Sequence, residues 1–157
     1  MFSFMIRFAL NYLGIFFILL SVLSFFNIIY SYYFNLYLNI DTYFYTFLLS
    51  IIIGLISFFK NKIDVKITIY TKIFAVIIGY FLLPLIISIP YYFSIYNLSF
   101  LSCYFESISG FTSTGFTVFE NIKHLDQSLI IWRSTSQWIG GIYFIFSILL
   151  LIDIFDD

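Results

Sequence analysis

The sequence predicts an all-α membrane protein with four transmembrane helices plus one re-entrant pore helix and filter loop. Three observations carry that reading. The 157 residues are 62% hydrophobic and only 10% charged, whereas a soluble domain carries about 25% charged residues; such a chain cannot coat a water-facing surface. Four apolar stretches reach or approach the length of about 20 residues that crosses a bilayer. Between the third and fourth, Ser109 to Thr117 is rich in hydroxyls and bears glycine. Irregular backbone at membrane depth leaves polar groups unpaired, and it is tolerated only where protein buries it or where it lines a water-filled path. Carbonyls around such a path can replace the water shell of a cation.

The first span runs from Phe8 to Tyr33, behind Arg7. Its start imitates a signal peptide. The run exceeds the 7–15 residues of a signal core, however, and has no small-x-small cleavage site, so a retained helix is expected. The second span, Tyr43 to Phe59, is near the lower length limit. The third, Ile69 to Phe93, contains Pro84 and Pro90, which are expected to kink or shorten it. The fourth is Leu129 to Ile152.

Basic residues orient these spans. Lys60, Lys62, Lys66 and Lys72 cluster between the second and third, while the segment from Asn35 to Thr42 has only Asp41. The predicted topology puts both termini and the Lys-rich loop in the cytoplasm, with the Asp41 loop and the segment Ser94 to Ser128 outside. Within that outer segment, Phe100 to Ser109 is helix-compatible but too short to span. A short helix followed by a Gly- and Thr-rich strand fits a re-entrant pore loop. Tyr and Phe at positions 91–96 suit an interfacial aromatic belt.

Gly115 is the first candidate residue, because glycine allows dihedrals that other residues resist and lets backbone approach an ion. By position alone a simple turn glycine reads equally well. Thr112, Ser113, Thr114 and Thr117 add hydroxyls beside it. Glu106 is a carboxylate at membrane depth, a functional site by default. One turn before the loop it points away from an ion path, and the structural alternative is a cation partner or backbone N–H groups behind the filter. Arg133 and Gln137 share a face of the fourth span, flanked by Trp132 and Trp138. Arg133 either snorkels to the outer surface or, with Gln137, supports the filter with Glu106 as a partner. Gly140-Gly141 offers a flat patch for close helix approach.

Other chemistries find no footing. The single cysteine, Cys103, allows no intramolecular disulfide or cysteine cluster and reads as a buried hydrophobe. The single histidine, His124, lies in a polar linker and reads as a solvated side chain. No histidine–metal cluster, nucleophile elbow or phosphate-binding loop is present, so no enzyme activity and no cofactor are expected. There is no basic patch with interleaved polar residues, which argues against nucleic acid. Asp153, Asp156 and Asp157 read as a solvated tail.

The stretch Phe105-Glu106-Ser107-Ile108-Ser109-Gly110-Phe111-Thr112-Ser113-Thr114-Gly115-Phe116-Thr117 resembles the first pore loop of the TrkH potassium-transporter family, in the Trk/Ktr/HKT superfamily. Trp132-Arg133 and Gln137-Trp138-Ile139-Gly140-Gly141 resemble the family's second pore-lining helix, and His124-Leu125 fits the linker. The earlier helices match by position and hydropathy only. The resemblance implies two extra N-terminal helices, here residues 1–68, before four helix–pore-loop–helix repeats around one pore. Residues 69–157 correspond to the first repeat. It further implies potassium uptake across a bacterial inner membrane, with K⁺ held at Thr112, Ser113, Thr114 and Gly115 and the loop supported by Glu106, Arg133 and Gln137. The implied partners are membrane lipid, the remaining repeats or copies of this chain, and a cytoplasmic nucleotide-binding regulatory subunit. Ser113 and Phe116 depart from the family's threonine and alanine; Phe116 adds bulk beside the glycine. The expectation is the N-terminal portion of such a transporter, the alternative a truncated fragment without transport activity.

Overall fold

The computed structural model describes residues 2–60 and 68–152, and among them all regular structure is helical. Six α-helices follow in order: α1 (Phe2–Tyr33), α2 (Ile40–Lys60), α3 (Ile69–Ile87), α4 (Ile89–Tyr92), α5 (Phe100–Phe111) and α6 (Gln127–Ile152). Single 3₁₀ turns at Tyr37–Asn39 and Ile122–His124 precede α2 and α6. Four segments are long and apolar enough to cross a membrane: Met5–Tyr33, Tyr37–Phe58, Ile69–Tyr92 and Gln127–Ile152. The chain is an all-α, multi-pass membrane protein. Lys62, Lys66, the Lys60 side chain and the C-terminal aspartates lie outside the described residues.

The differences from expectation are local. Helix α2 begins at Ile40, so Asp41 sits in its first turn rather than in a loop, where a carboxylate complements the helix dipole. Helix α1 closes with Asn35 in the left-handed region (φ 57°) and the Leu36 N–H donating to the Ser31 carbonyl at 2.8 Å. Pro84 does not end α3; the helix runs on to Ile87 and breaks at Ser88. Pro90 instead opens the short α4, where its missing N–H costs nothing. The Ile87 carbonyl at the break accepts the Trp132 indole N–H at 3.0 Å. The loop after α5 is irregular chain, not a strand. Cys103 is buried in α5 and His124 is exposed, as expected.

Helices in lipid gain little from burying apolar surface against one another and associate through close packing and hydrogen bonds. Helices α1 and α2 run antiparallel at short range. A Cβ at Gly14 would meet Ser57, and one at Gly54 would meet Ile18. At their other end the Ser24 hydroxyl donates to the Tyr43 carbonyl at 2.7 Å. Leu13, Phe16 and Leu20 of α1 join Leu83 and Ile87 of α3 and Leu129, Trp132, Ile139 and Tyr143 of α6 in one core. The Tyr143 hydroxyl donates to the Val76 carbonyl at 2.8 Å, tying α6 to α3. Among the described residues, the hydroxyls of Tyr12, Ser31 and Tyr91 are buried without a hydrogen-bond partner, while several others inside the spans bond within their own helix. Thr46 donates to the Thr42 carbonyl at 2.8 Å, Ser147 to that of Tyr143 at 2.7 Å, and Ser50 to that of Thr46. Such bonding keeps hydroxyls satisfied where no water reaches.

Candidate functional site: a pinned loop behind the short helix

Helix α5 is capped at its start by Ser99, whose Oγ accepts the Ser102 N–H at 3.2 Å. It ends at Phe111 against α6. A Cβ at Gly140 would collide with the Phe111 carbonyl, and one at Gly110 would collide with Ser136 Oγ, so bare backbone sets the separation of the two helices. Gly141, expected to share this role, has nothing near its Cβ direction and instead borders a cavity of about 360 Å³ with Tyr80, Phe111, Thr112, Ser113, Gly140 and Phe144. The last carbonyls of α5 are covered: those of Ile108, Ser109 and Gly110 accept the N–H groups of Thr112, Thr114 and Ser113, and that of Phe111 lies against Gly140.

Residues 112–116 form the loop expected to carry chemistry, and all five are exposed. Two of them are left-handed: Ser113 at φ 56° and Gly115 at φ 82°. Only glycine takes such a φ without cost, so Gly115 is where the backbone requires it. Ser113 bears the strain of a left-handed non-glycine residue and is held by its N–H donating to the Gly110 carbonyl at 3.0 Å. Thr114 N–H donates to the Ser109 carbonyl at 3.0 Å. The hydroxyls turn back toward α5. Thr112 Oγ1 donates to the Ile108 carbonyl at 2.7 Å and Thr114 Oγ1 to Ser109 Oγ at 3.1 Å.

Behind the loop sits a buried ion pair. Glu106 is fully buried, and its Oε1 lies 3.0 Å from Arg133 Nη1, off the axis of a hydrogen bond. Glu106 Oε2 accepts the Val118 N–H at 2.9 Å and the Thr117 hydroxyl at 3.0 Å. Arg133 Nη2 donates to the Phe116 carbonyl at 3.2 Å and, more weakly, to the Gly115 carbonyl at 3.5 Å. The Phe116 carbonyl also accepts Ser109 Oγ at 2.6 Å. One carboxylate and one guanidinium, from two helices, thus grip the exit of the loop at four consecutive residues. Arg133 does not snorkel, since its side chain is only 10% exposed. Gln137, one turn further along α6, is half-buried and makes no hydrogen bond to the loop among the described residues.

Sequence reasoning missed a second group of polar residues. Asp126 directly precedes α6, and its Oδ2 accepts Asn39 Nδ2 at 2.9 Å and the Ser128 hydroxyl at 2.6 Å. An acidic residue just before a long apolar run is a helix-start signal; its reach to Asn39 is visible only in the fold. No group of three or more His, Cys, Asp or Glu capable of holding a metal ion occurs among the described residues.

A family model covers the region of the site, and three known proteins are similar to part of the chain. A family model described as TrkH, cation transport protein, covers residues 39–155. An uncharacterized cation transporter of Methanocaldococcus jannaschii is 44% identical over 55 residues, 35% of this chain and 12% of the relative. The Trk system potassium uptake protein TrkI of Halomonas elongata is 40% identical over 60 residues, 38% of this chain and 11% of the relative. TrkG of Escherichia coli, also a Trk system potassium uptake protein, is 39% identical over 46 residues, 29% of this chain and 10% of the relative. The matched segments therefore span about a tenth of these relatives' length. No solved structure matches. With the family model covering three quarters of its residues, the chain belongs to the TrkH family of cation transport proteins.

Proposed function

We propose that this chain contributes one side of a potassium-conducting pore, with the carbonyls of Thr112, Ser113, Thr114 and Gly115 lining the ion path. Helix α5 is then the re-entrant pore helix, with residues 1–68 as an accessory helix pair and residues 69–157 as one pore repeat. The observation that carries this reading is the two-sidedness of the loop. One side is pinned to the buried Glu106–Arg133 pair, while residues 112–116 are exposed. In lipid an open face of backbone dipoles must meet protein or a water-filled path. The loop carbonyls favour a cation there. Potassium is the cargo named for TrkI and TrkG.

A ring of carbonyls needs contributions from all sides, so the partners are the remaining repeats or copies of this chain, together with membrane lipid. A cytoplasmic nucleotide-binding subunit is the proposed regulator. The proposed location is a bacterial inner membrane with both termini cytoplasmic. The test is ion selectivity in a reconstituted complex. Gly115→Ser places a side chain at φ 82°, which distorts the loop, and K⁺ over Na⁺ preference should fall. Unchanged preference moves the filter elsewhere.

A further inference from the structure

The start of α6 is held from two sides. Within residues 69–157 the Asp126 N–H donates to the Tyr96 hydroxyl at 2.8 Å and the Trp132 indole to the Ile87 carbonyl at 3.0 Å. The remaining ties come from the two N-terminal helices and the turn between them. Asn39 Nδ2, from the turn before α2, donates to Asp126 Oδ2 at 2.9 Å. The Ser128 hydroxyl gives its single proton to the same oxygen at 2.6 Å. The Tyr43 hydroxyl, 2.9 Å from Ser128 Oγ, must therefore be the donor in that pair. Asn27 Nδ2 of α1 donates to the Ser128 carbonyl at 3.4 Å. The Tyr43 ring also packs at 5.8 Å from the indole of Trp132, the neighbour of Arg133. All of these groups except the partly covered Tyr96 and Asp126 are buried.

Arg133 stands seven residues beyond Asp126, two turns and about 10 Å along a rigid helix. A slip of α6 along its axis moves the guanidinium by the same amount. Its bonds to the Gly115 and Phe116 carbonyls are already 3.5 and 3.2 Å, near the distance where a hydrogen bond fails. Small displacements at the start of α6 are therefore felt at the loop.

We propose that Asn39 and Tyr43 are positioning residues for the loop: through Asp126 and Ser128 they fix the register of α6, and with it the reach of Arg133 to the Gly115 and Phe116 carbonyls. The two N-terminal helices are then part of the apparatus that sets the loop geometry. Only the consequence for ion choice rests on the potassium reading above.

The test uses the full chain in lipid nanodiscs. Tyr43→Phe removes one hydroxyl and keeps the ring, so it preserves packing; Asn39→Leu removes the second tie. Hydrogen exchange is read at Val118 and Phe119, whose N–H groups bond Glu106 and Thr117. Loss of one net hydrogen bond predicts exchange about fivefold faster there, with Cys103 and Ser107 in α5 unchanged. Arg133→Lys keeps the charge but loses the fork; in that background the same two substitutions should have no further effect at Val118. Unchanged exchange at Val118 in Tyr43→Phe and Asn39→Leu overturns the proposal. So does an equal increase in the Arg133→Lys background, which would make the effect a general loosening. In reconstituted complex, K⁺ over Na⁺ preference is measured for the same variants. Faster exchange without a change in preference upholds the positioning role and counts against the loop as the filter.

Discussion

Breaking the Glu106–Arg133 pair from either side should destabilise the chain by about 3–5 kcal/mol. At 3.0 Å and an effective dielectric of about 20, the attraction is about 5–6 kcal/mol. Glu106 is wholly buried and Arg133 nearly so, so solvent cannot compensate the survivor. Glu106→Gln keeps the shape but leaves the guanidinium uncompensated and offers one oxygen where the carboxylate served Val118 and Thr117. Arg133→Leu leaves a carboxylate with only those two donors and releases the Phe116 carbonyl to Ser109 alone. In the double variant neither buried charge remains, so its cost should fall short of the sum of the singles by about 2 kcal/mol. The assay is unfolding in mixed micelles followed by tryptophan fluorescence, since Trp132 adjoins Arg133. Salt should change the result little, because the pair is shielded from the ion atmosphere. Costs that add to within about 0.5 kcal/mol would show that the two groups act independently and would refute the pair as the anchor of the loop.

Three further outcomes are expected. Gly140→Val drives a side chain into the Phe111 carbonyl and should cost about 1–3 kcal/mol or more. Gly141→Ala meets nothing and should stay within about 0.5 kcal/mol; equal losses in melting experiments would mean that α5 and α6 are not in close contact at Gly140. Reporter fusions after Asn35 and after Lys66 should report opposite sides of the membrane, with Lys66 cytoplasmic, and the same side for both would end the topology. Residues 1–157 expressed alone in cells lacking potassium uptake should not restore growth on limiting K⁺, because the described residues offer one carbonyl loop where a ring is needed. Robust growth, lost on Gly115→Ser, would show that copies of the chain close a working pore.

Much of the architecture was legible in the residue string because lipid imposes simple arithmetic. A span needs length and few charges, so four spans and a fifth helix too short to cross could be counted. Their ends moved by only a few residues, as at Ile40, where Asp41 proved a helix-start residue, and at Ser88, where the break follows Pro84 instead of coinciding with it. Glycine at 115 was legible for a similar reason, since a positive φ is cheap for glycine alone. The buried charges were legible only in part: Glu106 could be named as a partner for Arg133 beside a snorkelling alternative, and the choice between the two could not be made. Glu106 and Arg133 are 27 residues apart, and a sequence carries no distance between two helices. That Arg133 turns inward to the Gly115 and Phe116 carbonyls, that Gln137 beside it does not reach the loop, and that Gly140 but not Gly141 touches α5 were decided by the rotation of α6 about its axis. The link from Asn39 to Asp126 spans 87 residues and leaves no periodic trace. Composition and hydrophobic length thus determined a membrane helix bundle with one irregular loop. Tertiary packing decided which polar atoms meet, because in a low-dielectric interior a buried donor or charge is stabilised wherever the fold brings a partner within about 3 Å.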